Sequence, residues 1–122
     1  TSSIKKLSFL QRFLIDNFYG VLTKEVEGLN PHSILDAGCG EGFILHELEK
    51  AKIGKELFGF DFMDTASKLG KKQYPTLNLK KGDIYHIDAK TESYDVVICS
   101  EVLEHLERPE DALKELIRVS KK

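Results

Sequence analysis

Ile34-Leu35-Asp36-Ala37-Gly38-Cys39-Gly40-Glu41-Gly42 decides how the rest of this 122-residue chain is read. Ser33 to Ala37 is a short apolar run of the kind a buried strand makes, broken by one acid. Three glycines at alternate positions follow, and then a stretch with apolar residues at Phe43, Ile44, Leu45 and Leu48, predicting a helix over 41–50. A strand that enters a helix through a glycine turn is where parallel sheets receive ligands. There the glycines let a ligand approach the backbone, and the helix start presents unpaired N–H groups.

Working outward, the same alternation repeats. Leu57 to Asp61 reads as a second strand, Asp64 to Gln73 as a helix closed near Tyr74-Pro75, and Leu77 to Lys80 as a weaker third strand. Tyr94 to Cys99 is continuous and β-branched, the signature of a strand buried on both faces. Pro109 to Lys122 predicts a helix with Pro in its first turn and Ala112, Leu113, Leu116 and Ile117 on one face. Upstream, Leu7, Leu10, Leu14 and Phe18 give Ile4 to Tyr19 a helical stripe. Val21 to Val26 either extends that helix or forms a second short one, ended by Gly28 and Pro31. Strand and helix alternating at this pitch mean right-handed βαβ units, so the fold class is α/β with a doubly wound parallel sheet.

Composition fits such a domain and narrows its partners. At 41% hydrophobic and 31% charged residues the chain reads as one ordinary globular domain, 1–122, with a helical segment over 1–29 and the α/β core over 30–122. A net charge of -2 argues against a nucleic-acid or membrane-surface binder. The lysine pairs 71–72, 80–81 and 121–122 read as solvated surface. No apolar run approaches the roughly 20 residues that cross a bilayer. There is no signal-peptide pattern at the start, and Cys39 and Cys99 lack CxxC spacing, so two free thiols in a reducing cytoplasm are expected.

The acids around the turn indicate the ligand. A dinucleotide site carries GxGxxG and rests a pyrophosphate on the helix N-terminus. Here the third glycine comes one residue early, and Glu41 at the helix start would repel that group. Asp36, two residues before Gly38, is placed to attract a cation such as an amino-acid ammonium. Asp61 ends the second strand, 21 residues after Gly40. A carboxylate there can accept both hydroxyls of a ribose, or it can cap the next helix, for which Asp64 is the better candidate.

The acid-x-GxGxG string resembles motif I of the class I S-adenosylmethionine-dependent methyltransferases, close to their ubiquinone/menaquinone-type members. The likeness covers about residues 30–122. It implies the Rossmann-like fold of that family and S-adenosylmethionine as cofactor, with S-adenosylhomocysteine as product. On that resemblance Asp36, Gly38, Cys39 and Gly40 border the methionine part of the cofactor. Asp61 takes the ribose, Phe62 and Met63 line the adenine, and Gly82-Asp83-Ile84 provides an aspartate for the adenine amino group with an apolar residue on the ring. A plain turn is the other reading of Gly82-Asp83. Ser100 and Glu101, after the fourth strand, are implied cofactor contacts.

Glu101, Glu104 and His105 fall at i, i+3, i+4 and can face one point on a helical turn. That E-x-x-E-H string resembles metal-dependent relatives, the ubiquinone-pathway O-methyltransferases and small-RNA 2′-O-methyltransferases. Similar strings also occur in methyltransferases without a metal, so a structural or cofactor-adjacent His105 is the leading reading, with a general base or substrate contact as the weaker catalytic one. Strands one to four are present, whereas the family sheet runs 3-2-1-4-5-7-6, so a chain truncated at its C-terminus is expected. Strand four would then be an edge open to self-association. The resemblance implies methyl transfer to a small-molecule acceptor. The alternatives are a non-catalytic cofactor-binding fragment, a metal-dependent O-methyltransferase, an NAD-dependent oxidoreductase or an aminopropyltransferase.

Overall fold

The computed structural model describes residues 18–99 and 105–121. Its centre is β1 (Ser33–Ala37), in which all five residues are buried. On one side β1 pairs in parallel with β2 (Glu56–Asp61), in register from Ser33 opposite Glu56 to Ala37 opposite Phe60. β2 pairs in parallel with β3 (Asn78–Lys81). On the other side β1 pairs with β4 (Val96–Ile98), giving the order β3-β2-β1-β4. With ligands expected at the carboxyl ends of such strands, this order gathers Ala37, Asp61, Lys81 and Ile98 at one rim of the sheet.

Two apolar layers close over the sheet. The helix over residues 18–28 (α1), α2 (Phe43–Lys50) and α3 (Asp64–Gln73) flank one face, where Val26, Ile34, Leu45, Leu48 and Leu79 form the core. α4 (Pro109–Val119) covers the other with Ala112, Leu116 and Val119, packed on Leu35, Ala37 and Phe60 and on Ile84 and Ile87 from the β3–β4 connection. A single strand with side chains in both cores must be apolar throughout, which is why β1 reads as an almost unbroken hydrophobic run.

β1 and α3 have the predicted bounds; β2 starts one residue earlier than read and β3 is shifted one residue on, and α2, β4 and α4 differ from the sequence reading for a visible reason. α2 begins at Phe43, not Glu41, because Gly42 at its N-cap has φ of 95°, outside helical space. Glu41 therefore lies ahead of the helix. β4 is shorter than Tyr94–Cys99 because the Asp95 carboxylate turns back to β1. One of its oxygens accepts the N–H groups of His32 and Ser33 at 2.8 and 3.1 Å, and the Asp95 N–H donates to Ser33 Oγ at 3.0 Å. α4 ends at Val119 because the chain is drawn out beside Tyr94. The Tyr94 N–H donates to the Val119 carbonyl at 2.9 Å, and the Lys121 N–H donates to the Tyr94 carbonyl at 2.8 Å. That parallel bridge between Tyr94 and Ser120 meets the foot of the β4 edge that sequence reasoning leaves open.

Within α4, Leu113 and Ile117 are exposed and do not join the buried face; Val119 takes that place beside Ala112 and Leu116. The helical pattern over residues 4–17 lies outside the described residues.

Candidate cofactor-binding site

The glycine turn folds tightly over the end of β2. The N–H groups of Gly38 and Cys39 both donate to the Phe60 carbonyl at 2.9 Å, and Gly38, Gly40 and Gly42 all have positive φ. Only a residue without a Cβ takes that path at low cost. A second requirement is less visible in sequence. Gly70, inside α3, lies so close to the turn that a Cβ there would sit 2.3 Å from the Glu41 carbonyl oxygen. The helix–turn contact depends on that glycine.

Asp61 ties the two loops of the site together. Its Oδ2 accepts the Gly40 N–H at 2.8 Å and its Oδ1 accepts the Met63 N–H at 2.9 Å. The expected division of labour between Asp61 and Asp64 is thus corrected. α3 has Met63 at its N-cap with no side-chain cap, while Asp64 stands in the first turn and pairs with Lys68 at 3.0 Å. Each Asp61 oxygen still has a second lone pair, so the carboxylate is oriented by protein donors and retains acceptor capacity.

Asp36 is 1% exposed, and neither of its carboxylate oxygens has a hydrogen-bond partner. Burial, and then the nearby charge of Asp61, push its pKa up to about 7. A buried acid without a donor is costly when ionised, and an approaching cation relieves that cost. Burial first, then the Asp36 and Asp61 charges, push the Cys39 thiol up to about 12, so it is an unreactive packing group.

A cavity of about 270 Å³ opens at the same rim, lined by Gly38, Phe60, Asp61, Phe62, Gly82, Asp83, Ile84, Tyr85 and Leu106. Six residues singled out from sequence are therefore brought to one wall: Gly38, Asp61, Phe62, Gly82, Asp83 and Ile84. Phe62 is 73% exposed, an unusual state for a phenylalanine, and offers a bare apolar face at the mouth. Asp83 Oδ1 accepts the Tyr85 N–H at 2.9 Å, which fixes its carboxylate and leaves the second oxygen for a ligand. Gly82 is needed where it stands, since a Cβ would meet the Phe60 ring at 2.7 Å.

Asp36, Cys39, Gly40 and Met63 do not line this cavity. Gly40 and Met63 act on it through Asp61, and Met63 is itself exposed. Ser100, Glu101 and Glu104 lie outside the described residues. His105, just before α4, is exposed and not on the cavity wall. Among the described residues no group of three His, Cys, Asp or Glu side chains could hold a metal ion. Sequence reasoning missed Phe60, Tyr85 and Leu106. The first reads as core, Tyr85 carries no motif, and Leu106 closes the post-strand-four string without a role of its own in it.

The parallel sheet, the glycine turn and an apolar cavity rimmed by two acids define an α/β domain with a candidate ligand site at the carboxyl ends of its strands. The sequence model of the methyltransferase domain matches residues 35–122, and the chain belongs to that family, with the Rossmann-like fold of its class I, S-adenosylmethionine-dependent members.

Among curated proteins, the mitochondrial ubiquinone biosynthesis O-methyltransferase of Schizosaccharomyces pombe is 33% identical over 90 residues, covering 69% of this chain and 32% of that protein. The enzyme of the same name from Saccharomyces cerevisiae is 26% identical over 114 residues, covering 87% and 36%. The chain thus spans about a third of the length of these relatives. Among solved structures, a SAM-dependent methyltransferase from Aquifex aeolicus superposes with a TM-score of 0.72 at 24% identity, over 84% of this chain and 58% of that one. The methyltransferase domain of bacterial CtHen1 gives 0.77 at 22%, over 88% and 63%. At these identities the two structures speak for the fold alone. Among the described residues no helix is long and apolar enough to cross a membrane.

Proposed function

We propose that this chain forms the S-adenosylmethionine-binding part of a methyltransferase that acts on a small-molecule acceptor. The observation that carries the reading is the pairing of Asp61, held by the Gly40 and Met63 N–H groups, with the 270 Å³ cavity between Phe62 and Asp83. The residues present fit the cofactor. Asp61 has lone pairs for two ribose hydroxyls, and Asp83 has a free oxygen for an exocyclic amine, with Ile84 and Phe62 as apolar walls. Asp36 is a buried, unpartnered acid beneath the glycine turn, and a cationic group on the methionine side would favour its ionised form. When bound, S-adenosylmethionine supplies an electrophilic methyl group on a sulfonium centre.

The contribution of the chain is to bind and orient. Asp61 sets the ribose end, the glycine turn lets the backbone close on the ligand, and Asp36 biases the charge beneath it. Such positioning supplies much of the acceleration in a two-substrate transfer. The names of the relatives support an oxygen nucleophile on a small molecule as acceptor. The free thiols Cys39 and Cys99 are in keeping with a reducing compartment, whether cytoplasm or organelle.

Isothermal titration with S-adenosylhomocysteine and with NAD tests the reading. Binding of the former with no binding of NAD is expected. The reverse outcome would overturn the assignment.

A further inference from the structure

We propose that α4 is a brace for the purine side of this cavity, with Arg118 and Tyr85 as positioning residues that act on ligand binding through Asp83. This rests on the cofactor reading above. The wall formed by residues 82–85 belongs to a connection of twelve residues between Gly82 and Ser93 that contains no helix or strand, only an isolated bridge between Asp83 and His86. A wall of that kind needs an external support to hold one shape, because an unbraced connection has many accessible conformations.

α4 supplies the support at both of its ends. Near its carboxyl end, Arg118 spreads its guanidinium over the connection, donating to the carbonyls of Ala89 and Ile87 at 2.9 Å each. The same guanidinium is clamped by Glu115, with Nε to Oε1 at 2.7 Å and Nη2 to Oε2 at 3.0 Å. Glu115 Oε2 in turn accepts the Ile87 N–H at 2.8 Å. Both backbone groups of Ile87 and the carbonyl of Ala89 are thereby tied to one helix. At the other end the Arg108 N–H donates to the Tyr85 hydroxyl at 3.2 Å, and the Arg108 guanidinium lies 4.2 Å from the centre of the Tyr85 ring.

Tyr85 lines the cavity, and its N–H holds Asp83 Oδ1. The path from α4 to the ligand therefore converges on Asp83 from both ends, through Tyr85 on one side and, on the other, from Ile87 through its neighbour His86, whose N–H donates to the Asp83 carbonyl at 3.1 Å. Lysine cannot replace Arg118 here. One ammonium is a compact point charge and does not span two carbonyls and a carboxylate as the planar fork does.

The test is a double-mutant cycle on S-adenosylhomocysteine affinity by calorimetry, with thermal stability recorded in parallel on the full chain. Arg118→Lys and Asp83→Ala are each expected to weaken binding about tenfold, a loss on the scale of one charge-assisted hydrogen bond. The combined variant is expected to bind no worse than Asp83→Ala alone, because the brace acts through that carboxylate. Tyr85→Phe, which removes one surface hydroxyl and leaves folding intact, is expected to weaken binding about threefold.

A purely structural role predicts lower melting temperatures with unchanged affinity. That result for both Arg118→Lys and Tyr85→Phe overturns the brace, and so does a combined loss near a hundredfold. Absence of S-adenosylhomocysteine binding in the unmodified chain would instead overturn the cofactor reading on which the brace depends.

Discussion

Replacing Asp36 by Asn should stabilise the ligand-free protein and weaken its grip on a cationic ligand. Asn is close in shape to the protonated acid and carries no charge at any pH. In the native fold the Asp36 carboxyl holds its proton up to about pH 7, against 3.8 when exposed, with burial as the main cause and Asp61 second. Between those two values the folded state binds a proton that the unfolded state has released, so stability falls as pH rises through that window and levels off above it. At about 1.4 kcal/mol per pKa unit, the wild type is about 4 kcal/mol less stable above pH 7 than with a neutral side chain there. The Asn variant should therefore gain on the wild type by about 1.4 kcal/mol per pH unit up to neutrality, starting near zero around pH 4. Urea unfolding followed by circular dichroism at pH 5, 6, 7 and 8 measures the gap directly. Binding of S-adenosylhomocysteine, which carries an amino-acid ammonium, should weaken in the variant, while binding of adenosine should not. A gap that stays constant with pH, or an Asn variant less stable than wild type at pH 8, would refute the reasoning.

Three further outcomes follow from the geometry. Gly70→Ala, normally helix-favouring by about 1 kcal/mol, should destabilise by about 2 kcal/mol or more because its Cβ meets the Glu41 carbonyl, read as a lower urea midpoint. Asp61→Asn should weaken S-adenosylhomocysteine binding by roughly tenfold or more, since an amide NH₂ faces either the Gly40 or the Met63 N–H. The same change should bring the Asp36 pKa down, measurable by NMR titration, and no downward movement would mean the two acids do not interact. The Asp95 carboxyl is held down at about 2, chiefly by the Ser33 and His32 N–H groups, so its contribution is present above its ordinary value of 3.8 and lost as pH falls toward 2. Asp95→Ala should therefore lower the melting temperature at pH 7 and leave it nearly unchanged at pH 2.

Much of the fold is legible because periodicity and burial agree along the chain. Ser33–Ala37 and Asp64–Gln73 fall where the pattern puts them, since nothing tertiary competes with their local preference. The differences arise where a side chain or a distant strand intervenes. Asp95 reads as one more residue of a long strand, and only its contact with His32 and Ser33, across more than sixty positions, ends the ladder there. Ser120 and Lys121 look helical locally, and pairing beside Tyr94 draws them out.

The site follows the same logic. Gly38, Asp61, Phe62, Gly82, Asp83 and Ile84 share a wall because each stands at a strand end, and strand ends can be counted in a sequence. Tyr85 and Leu106 reach that wall through the β3–β4 connection and the approach to α4, where spacing carries no period. The isolation of Asp36 is likewise invisible in sequence, because an acid beside a glycine turn gives no sign of whether a donor lies within reach.

The pairing of β1 with β4 also sets a schedule for a chain made from its N-terminus. Ser33 waits for Asp95, 62 residues further on, before its N–H is satisfied and that side of the central strand is covered. At roughly 5–20 residues per second, synthesis leaves that flank open for about 3–12 seconds. Until then Ile34 and Leu35, buried in the finished domain, have at most β2 beside them, with β3 one strand further out. The nascent domain is then a half-sheet with an adhesive margin, and the ribosome-bound state, more than the finished fold, is where it most needs a chaperone's cover.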